Sequence, residues 1–191
     1  MNVPFVVLGS VGVIAYAAIV FRVVVRSAYA RQGRLNPAQT ALEFSAFVLW
    51  GLFVWTDWPG GYPPLFSHPV TRLVGWVSVA FGLASWFGVF LFLGARRSFG
   101  QRVDGLLQTG PYRLSRNPQI LVVGVAVAGY WLVWPTWLTL VWFVLYALVC
   151  HLMVVTEEEH LRAAFGDAYV RYMSVVPRYL GVVRHQGTTA A

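Results

Sequence analysis

Long stretches without a charge alternate with short arginine-bearing segments along the chain. The first, Asn2 to Phe21, has about the length needed to cross a bilayer core. A second covers Ala41 to Trp58, with Glu43 at one edge and Trp50, Trp55 and Trp58 toward the other, where tryptophans suit an interfacial belt. The Pro/Gly-rich PGGYPPLFSHP that follows cannot be helix interior and reads as an exposed loop. A third stretch runs from Leu73 to Ala95 and halts at Arg96-Arg97. The uncharged stretch from Asn117 to Cys150 is too long for one crossing, and Pro135 in WLVWPTW divides it into a helical hairpin. The pattern predicts helices over about 3–25, 41–58, 73–95, 118–133 and 136–156, followed by a polar, amphipathic helix in TEEEHLRAAFGDAYVRYMSVVPRYL and a short tail.

Composition agrees with a lipid-embedded chain: 58% of the 191 residues are hydrophobic and 11% are charged, too few to cover a soluble domain of this size. The formal charge of +7 changes meaning in that setting. Every basic residue among the Lys+Arg count is arginine, and the arginines gather at the ends of apolar runs, which favours contact with anionic headgroups over nucleic acid. Arg22, Arg26, Arg31 and Arg34 fall in one connection and Arg96, Arg97, Arg102, Arg113 and Arg116 in another, whereas the opposite side holds only Arg72. The positive-inside rule then puts the N-terminus outside and the C-terminus in the cytoplasm, consistent with five crossings. Ala28-Tyr29-Ala30 resembles a signal-peptide cleavage site, but no basic region precedes the first run. The single cysteine, Cys150, makes no disulfide framework and no CxxC metal pair. The expected fold is all-α: an integral membrane bundle of five transmembrane helices with a cytoplasmic C-terminal amphipathic helix, in one domain spanning residues 1–191.

Candidate chemistry gathers on the arginine-rich side. In GPYRLSRNPQ, Pro118 suits the first turn of a helix and Asn117 a side-chain N-cap. The segment is either an ordinary arginine-flanked helix start or an anion site, where Arg113 and Arg116 meet a carboxylate beside free N–H groups. Glu157-Glu158-Glu159 is either a solvated face, with Glu158 and Arg162 paired at i,i+4, or places one glutamate in a cavity to bind an ammonium or sulfonium cation. Glu157, Leu161 and Phe165 share one helical face, which points Glu157 at the core. Glu157-x-x-His160 has the spacing of half a di-iron site, but no second copy occurs, so no metal is expected. His151 is an intramembrane ionisable group, either functional or a neutral packing residue. No P-loop, nucleophile elbow or strand-embedded GxGxxG is present.

Taken in order, Gly110-Pro111-Tyr112, Arg116-Asn117-Pro118, a hairpin, Glu157-Glu158-x-x-Leu161, Phe165-Gly166, Tyr169, Tyr172 and Val176-Pro177-Arg178 form a set that resembles the isoprenylcysteine carboxyl methyltransferase and phospholipid methyltransferase-like integral membrane enzymes. The resemblance runs from about Asp104 to Arg178. It implies S-adenosylmethionine bound by the C-terminal half, residues 97–178, and methyl transfer to a lipophilic acceptor entering from the lipid bilayer. Asp104, Gly105, Leu106 and Leu107 would line the adenosyl pocket with Tyr112, and Asn117, Pro118, Gln119 and Ile120 would form the next wall. Glu157 would hold the amino group of the methionine moiety, and Arg116 and Tyr112 would stand at the reaction centre. Ile120 and Val122 replace the family's tyrosine and glycine, and Met153 replaces an arginine that binds the acceptor carboxylate in the isoprenylcysteine enzymes. Met153 and His151 are therefore the residues expected on the substrate side. The other functions compatible with the pattern are an NADPH-dependent membrane reductase of the steroid-reductase type and a non-catalytic membrane scaffold.

Overall fold

The computed structural model describes residues 3–101 and 105–181, and among these every regular element is helical. We number the main helices α1 (Val3–Gln32), α2 (Pro37–Trp55), α3 (Pro69–Leu93), α4 (Pro118–Val133), α5 (Trp137–Phe165) and α6 (Asp167–Val175). Four of them, α1, α2, α3 and α5, are long and apolar enough to cross a membrane. Helix α4 has 16 residues, about 24 Å of rise. Large apolar side chains such as Leu73, Val77 and Phe81 on α3 are exposed, as they must be where the surroundings are lipid tails. The chain is thus a multi-pass, all-helical membrane protein.

Helix ends depart from the apolar boundaries because charge does not end a helix and capping does. Helix α1 runs through Arg22, Arg26 and Arg31 until Gly33, whose φ of 65° provides the left-handed cap. Helix α2 starts earlier than its apolar run, at Pro37, where Asn36 and Gln39 form a reciprocal capping box. Helix α3 starts at Pro69 with the His68 ring as cap. Helix α5 does not stop at the glutamates but continues to Phe165, and Gly166 (φ 49°) separates it from α6, so the amphipathic helix is shorter than its polar pattern suggests.

Helix α5 is the central element, packed against α1, α2, α4 and α6. Phe21, Val25, Ala46, Leu145 and Val149 form part of the core shared by α1, α2 and α5. Trp50, expected in the interfacial belt, instead donates its indole N–H into this core, to the Trp142 carbonyl at 3.1 Å. Trp55 and Trp58 are exposed as the belt requires. Helices α3 and α4 meet backbone to backbone. A Cβ on Gly75 would lie 2.7 Å from the Gly129 carbonyl oxygen, and one on Gly82 would lie 2.5 Å from the Val122 carbonyl oxygen. Small residues allow that approach, which is how helices gain contact in lipid without a hydrophobic driving force.

At the arginine-rich end, consecutive glutamates of α5 bind separate partners. Glu159 pairs with Arg22 (2.8 Å) and Arg26 (2.9 Å) of α1. Buried Glu158 pairs with Arg116 at 3.1 Å and accepts from Arg178 Nε (3.1 Å) and Nη2 (2.7 Å). The i,i+4 pair with Arg162 does not form; the Arg162 guanidinium donates to the Met173 sulfur instead. The segment after α6, residues 176–178, forms a strap fastened at the same place: Arg116 N–H donates to Pro177 O (3.0 Å), and Ser115 Oγ and Asn117 Nδ2 both donate to Arg178 O.

Two expectations about stability follow from these contacts. Gly82→Val forces backbones apart and lowers stability by roughly 2–3 kcal/mol, whereas Gly88→Ala, where a Cβ meets open space, does not destabilise. Glu158→Gln leaves buried guanidinium charge uncompensated and costs roughly 3 kcal/mol or more. Glu159→Gln, whose partner Arg26 is 59% exposed, costs less than about 1 kcal/mol. Denaturant unfolding of the detergent-solubilised protein reads each difference.

Candidate functional site

The helices enclose a cavity of about 330 Å³ lined by α2, α3, α4, α5 and the segments before α4 and around Gly105–Leu107. Its polar end lies beside the strap. Tyr112 is placed there by the tight turn Gly110–Arg113, in which Gly110 has φ 57° and presses against the Phe92 ring, leaving no room for a Cβ. The Tyr112 carbonyl accepts from Tyr172 OH at 2.7 Å, which ties the turn to α6. Burial, reinforced by the Glu157 charge, pushes the Tyr112 phenol well above its ordinary range, so it stays protonated. Tyr169 of α6 also lines the cavity, and burial pushes its phenol up to about 12, with Glu158 adding to the rise and Arg116 opposing it.

Arg116 is the informative group. Its side chain is only 10% exposed, and Nη1 lies 3.1 Å from a Glu158 oxygen. That contact is close enough for an ion pair yet out of line for a hydrogen bond: neither Nη1 nor Nε has a hydrogen-bond partner. Buried guanidinium N–H groups left in this way are costly. Glu157 lines the same cavity, and among the described residues no cation or hydrogen-bond donor reaches its carboxylate. Arg116 and Glu157 both line the cavity, so one wall carries a guanidinium and another an uncompensated carboxylate.

Gly105, Leu106, Leu107, Asn117, Gln119, Ile120 and Met153 all line this cavity. Asp104 lies outside the described residues. Pro118 is buried at the first position of α4, behind the wall. Asn117 does not cap α4 with its side chain, because its amide is turned to the Arg178 carbonyl; the first-turn N–H groups of α4 are left without a side-chain cap. Gln119 donates to Ser98 Oγ at 3.0 Å. His151 is not in the cavity: it is exposed, with Nδ1 3.3 Å from Tyr179 OH.

Several lining residues escaped the sequence reading. Tyr146 of α5 donates to the Ile120 carbonyl at 2.9 Å, bringing a phenol to the wall where residue 120 itself has none. His160 stacks on Tyr29 with ring centroids 4.2 Å apart. Glu43 of α2 is buried and lines the cavity. A carboxylate inside an apolar run was the available signal for Glu43; its assignment to the edge of a span hid it.

No curated protein and no solved structure matches the chain. A family model described as phospholipid methyltransferase matches residues 70–168, just over half of the chain. The matched stretch starts at the head of α3 and ends in the first residues of α6, and so takes in both GPYRLSRNP and the three glutamates. On this match the chain belongs to the phospholipid methyltransferase family.

Proposed function

We propose that the protein transfers a methyl group from S-adenosylmethionine to a lipophilic acceptor at the cytoplasmic face of the membrane. Methyl transfer with this cofactor is a general property of the family. The observation that carries the reading for this chain is the presence, on the walls of one cavity, of the Arg116 guanidinium and the uncompensated Glu157 carboxylate. An amino-acid tail satisfies both, its carboxylate at Arg116 and its ammonium at Glu157. Gly105, Leu106, Leu107, Tyr112, Asn117, Gln119 and Ile120 then surround the rest of the cofactor, with Pro118 stiffening the wall. When bound, the cofactor supplies a methyl group activated by a sulfonium.

The protein's own work is alignment and exclusion of water, since displacement at a sulfonium methyl needs little acid or base help from the enzyme on the donor side. Acceptor access is lateral. Helix α2 packs on α1 and α5, whereas α3 packs on α4, and the cleft between the two pairs is lined by Phe44 and Phe47 on one side and Trp86 and Phe90 on the other. Phe99 closes its basic end, with ring centroids 5.1 Å from Phe44 and 5.8 Å from Phe90. Phe44 and Trp86 are exposed, so the cleft opens toward lipid tails. Met153 lies on the α5 wall of the same space. The topology that fits is five crossings, with α4 as the short fifth span, an external N-terminus, and α6 and the strap in the cytoplasm, within one domain whose cofactor half is 97–178.

S-adenosylhomocysteine is expected to raise the thermal midpoint of the purified protein. Glu157→Gln is expected to weaken its binding about 10- to 100-fold, the worth of one hydrogen bond to a charged group; Glu159→Gln leaves it unchanged. A wild type that responds to NADPH and not to S-adenosylhomocysteine is a membrane reductase, and one that responds to neither is a non-catalytic scaffold.

A further inference from the structure

At the end of the bundle opposite the glutamates, a second cavity of about 670 Å³ opens between the loop that leads into α3 and the turn that joins α4 to α5. It shares no lining residue with the first. Arg72 on its wall and Phe90 on the wall of the first lie 18 residues apart on α3, about 27 Å along the axis. That is close to the thickness of a bilayer core, so the second cavity belongs to the opposite leaflet. Its walls are fastened. Leu65 N–H donates to the Pro135 carbonyl at 2.6 Å, Tyr62 OH donates to Asp57, and the Trp58 and Trp134 ring centroids are 5.1 Å apart.

The chemistry of this lining suits an anion. Arg72 stands over the Trp134 ring, with Cζ 5.3 Å from the centroid. That contact uses the flat face of the guanidinium and leaves the N–H groups of its edge to donate in plane. Among the described residues no carboxylate pairs with Arg72, and no lining residue is acidic. Asp57, the acid nearest in sequence, accepts from Tyr62. His68 supplies a second donor to the same cavity. Its Nδ1 accepts the Val70 N–H at 3.2 Å, so the neutral ring carries its proton on Nε2. A quaternary ammonium does not fit, because the Trp134 face already holds a cation.

The surroundings call for an anion with an apolar tail. Leu73 lines the cavity, and Val77 and Phe81 follow it at four-residue steps on the same face of α3, all three exposed. They make a continuous apolar track that leads from the cavity toward the bilayer centre, and free phosphate has no use for it. We infer that this cavity is a phospholipid site in the leaflet away from the cofactor: Arg72 and His68 Nε2 hold the phosphate, and an acyl chain lies along Leu73, Val77 and Phe81. The lipid bound here is not the acceptor, since the thickness of the membrane separates it from Glu157. The site stands apart from the methyl-transfer reading. Its lipid bridges the α3 entry loop and the α4–α5 turn, and so braces that end of the helix pair.

The test uses the full-length protein in dodecyl maltoside with a phosphatidylglycerol that carries a diazirine in the first carbons of one acyl chain. After illumination, labelled peptides are read by mass spectrometry. Label is expected on peptides covering residues 59–76 and 132–136, and unlabelled phosphatidylglycerol should displace it. Diacylglycerol has the chains without the phosphate, and inorganic phosphate has the anion without the chains. Each should need at least about 10-fold more to displace the label. Arg72→Gln is expected to lower labelling of these peptides about 10-fold, the worth of one hydrogen bond to a charged group. Arg96→Gln, an exposed arginine at the other end of the bundle, should leave it unchanged. Label spread evenly over the lipid-facing helices marks a general lipid coat and overturns the inference. So does labelling that survives Arg72→Gln, or that diacylglycerol displaces as well as phosphatidylglycerol does. Displacement by inorganic phosphate at the same concentration as phosphatidylglycerol makes this a free-anion site and overturns the lipid assignment. If Arg72→Gln does not fold, the competitor series on the wild type decides the matter.

Discussion

A carboxylate withdrawn from water on α5 needs strong compensation to remain charged, and Glu158 obtains it from two distant parts of the chain. Arg178 grips both carboxylate oxygens from the strap after α6, and Arg116 approaches from the segment before α4. The backbone follows the charges, because residues 115–117 and 177–178 are laced together by hydrogen bonds around that carboxylate. Arg178 makes the well-aligned hydrogen bonds, whereas Arg116, which also lines the cavity, contributes its charge at 3.1 Å. The contact that holds the C-terminal segment in place is also what turns a guanidinium toward the cavity.

Three adjacent carboxylates look self-defeating when read along a line, yet a helix turns about 100° per residue and aims them in three directions. Glu157 faces the cavity, Glu158 the strap and Glu159 the arginines of α1. Glu158 and Glu159 each tether a different element to α5. The π-wound segment Val20–Val25 of α1 contributes from its side: Phe21 and Val25 enter the core while Arg22 reaches both Thr156 and Glu159.

Much of this was legible in advance, for physical reasons that can be named. Apolar run length reports lipid thickness, so the helices appear where expected. The ordered motifs from Gly110 to Arg178 lie in and beyond the stretch that places the chain in its family. Helix ends were less legible, because they are set by Asn36, His68, Gly33 and Gly166 rather than by the last apolar residue. Asn117 has the composition of a cap, but the Arg178 carbonyl competes for its amide, and local propensity cannot see a partner 61 residues away. The same holds for Glu158, whose nearest sequence candidate Arg162 loses to Arg116 and Arg178, and for Glu43, whose exposure depends entirely on which helices surround it.

The glycine contact between α3 and α4 carries a mechanical consequence. With Gly75 against Gly129 and Gly82 against the α4 backbone near Val122, there is no side-chain layer between these helices to yield or slide. The pair behaves as one plank. Any widening of the cleft beside α2 must swing both helices together against the α1–α2–α5 body, and two of the joints that bend share one end of the pair: the turn at Pro135 between α4 and α5, and the loop that leads into α3 at Pro69. The width of the lipid-side opening is then a property of two helices moving as one, with Phe99 as the ring that both sides must release.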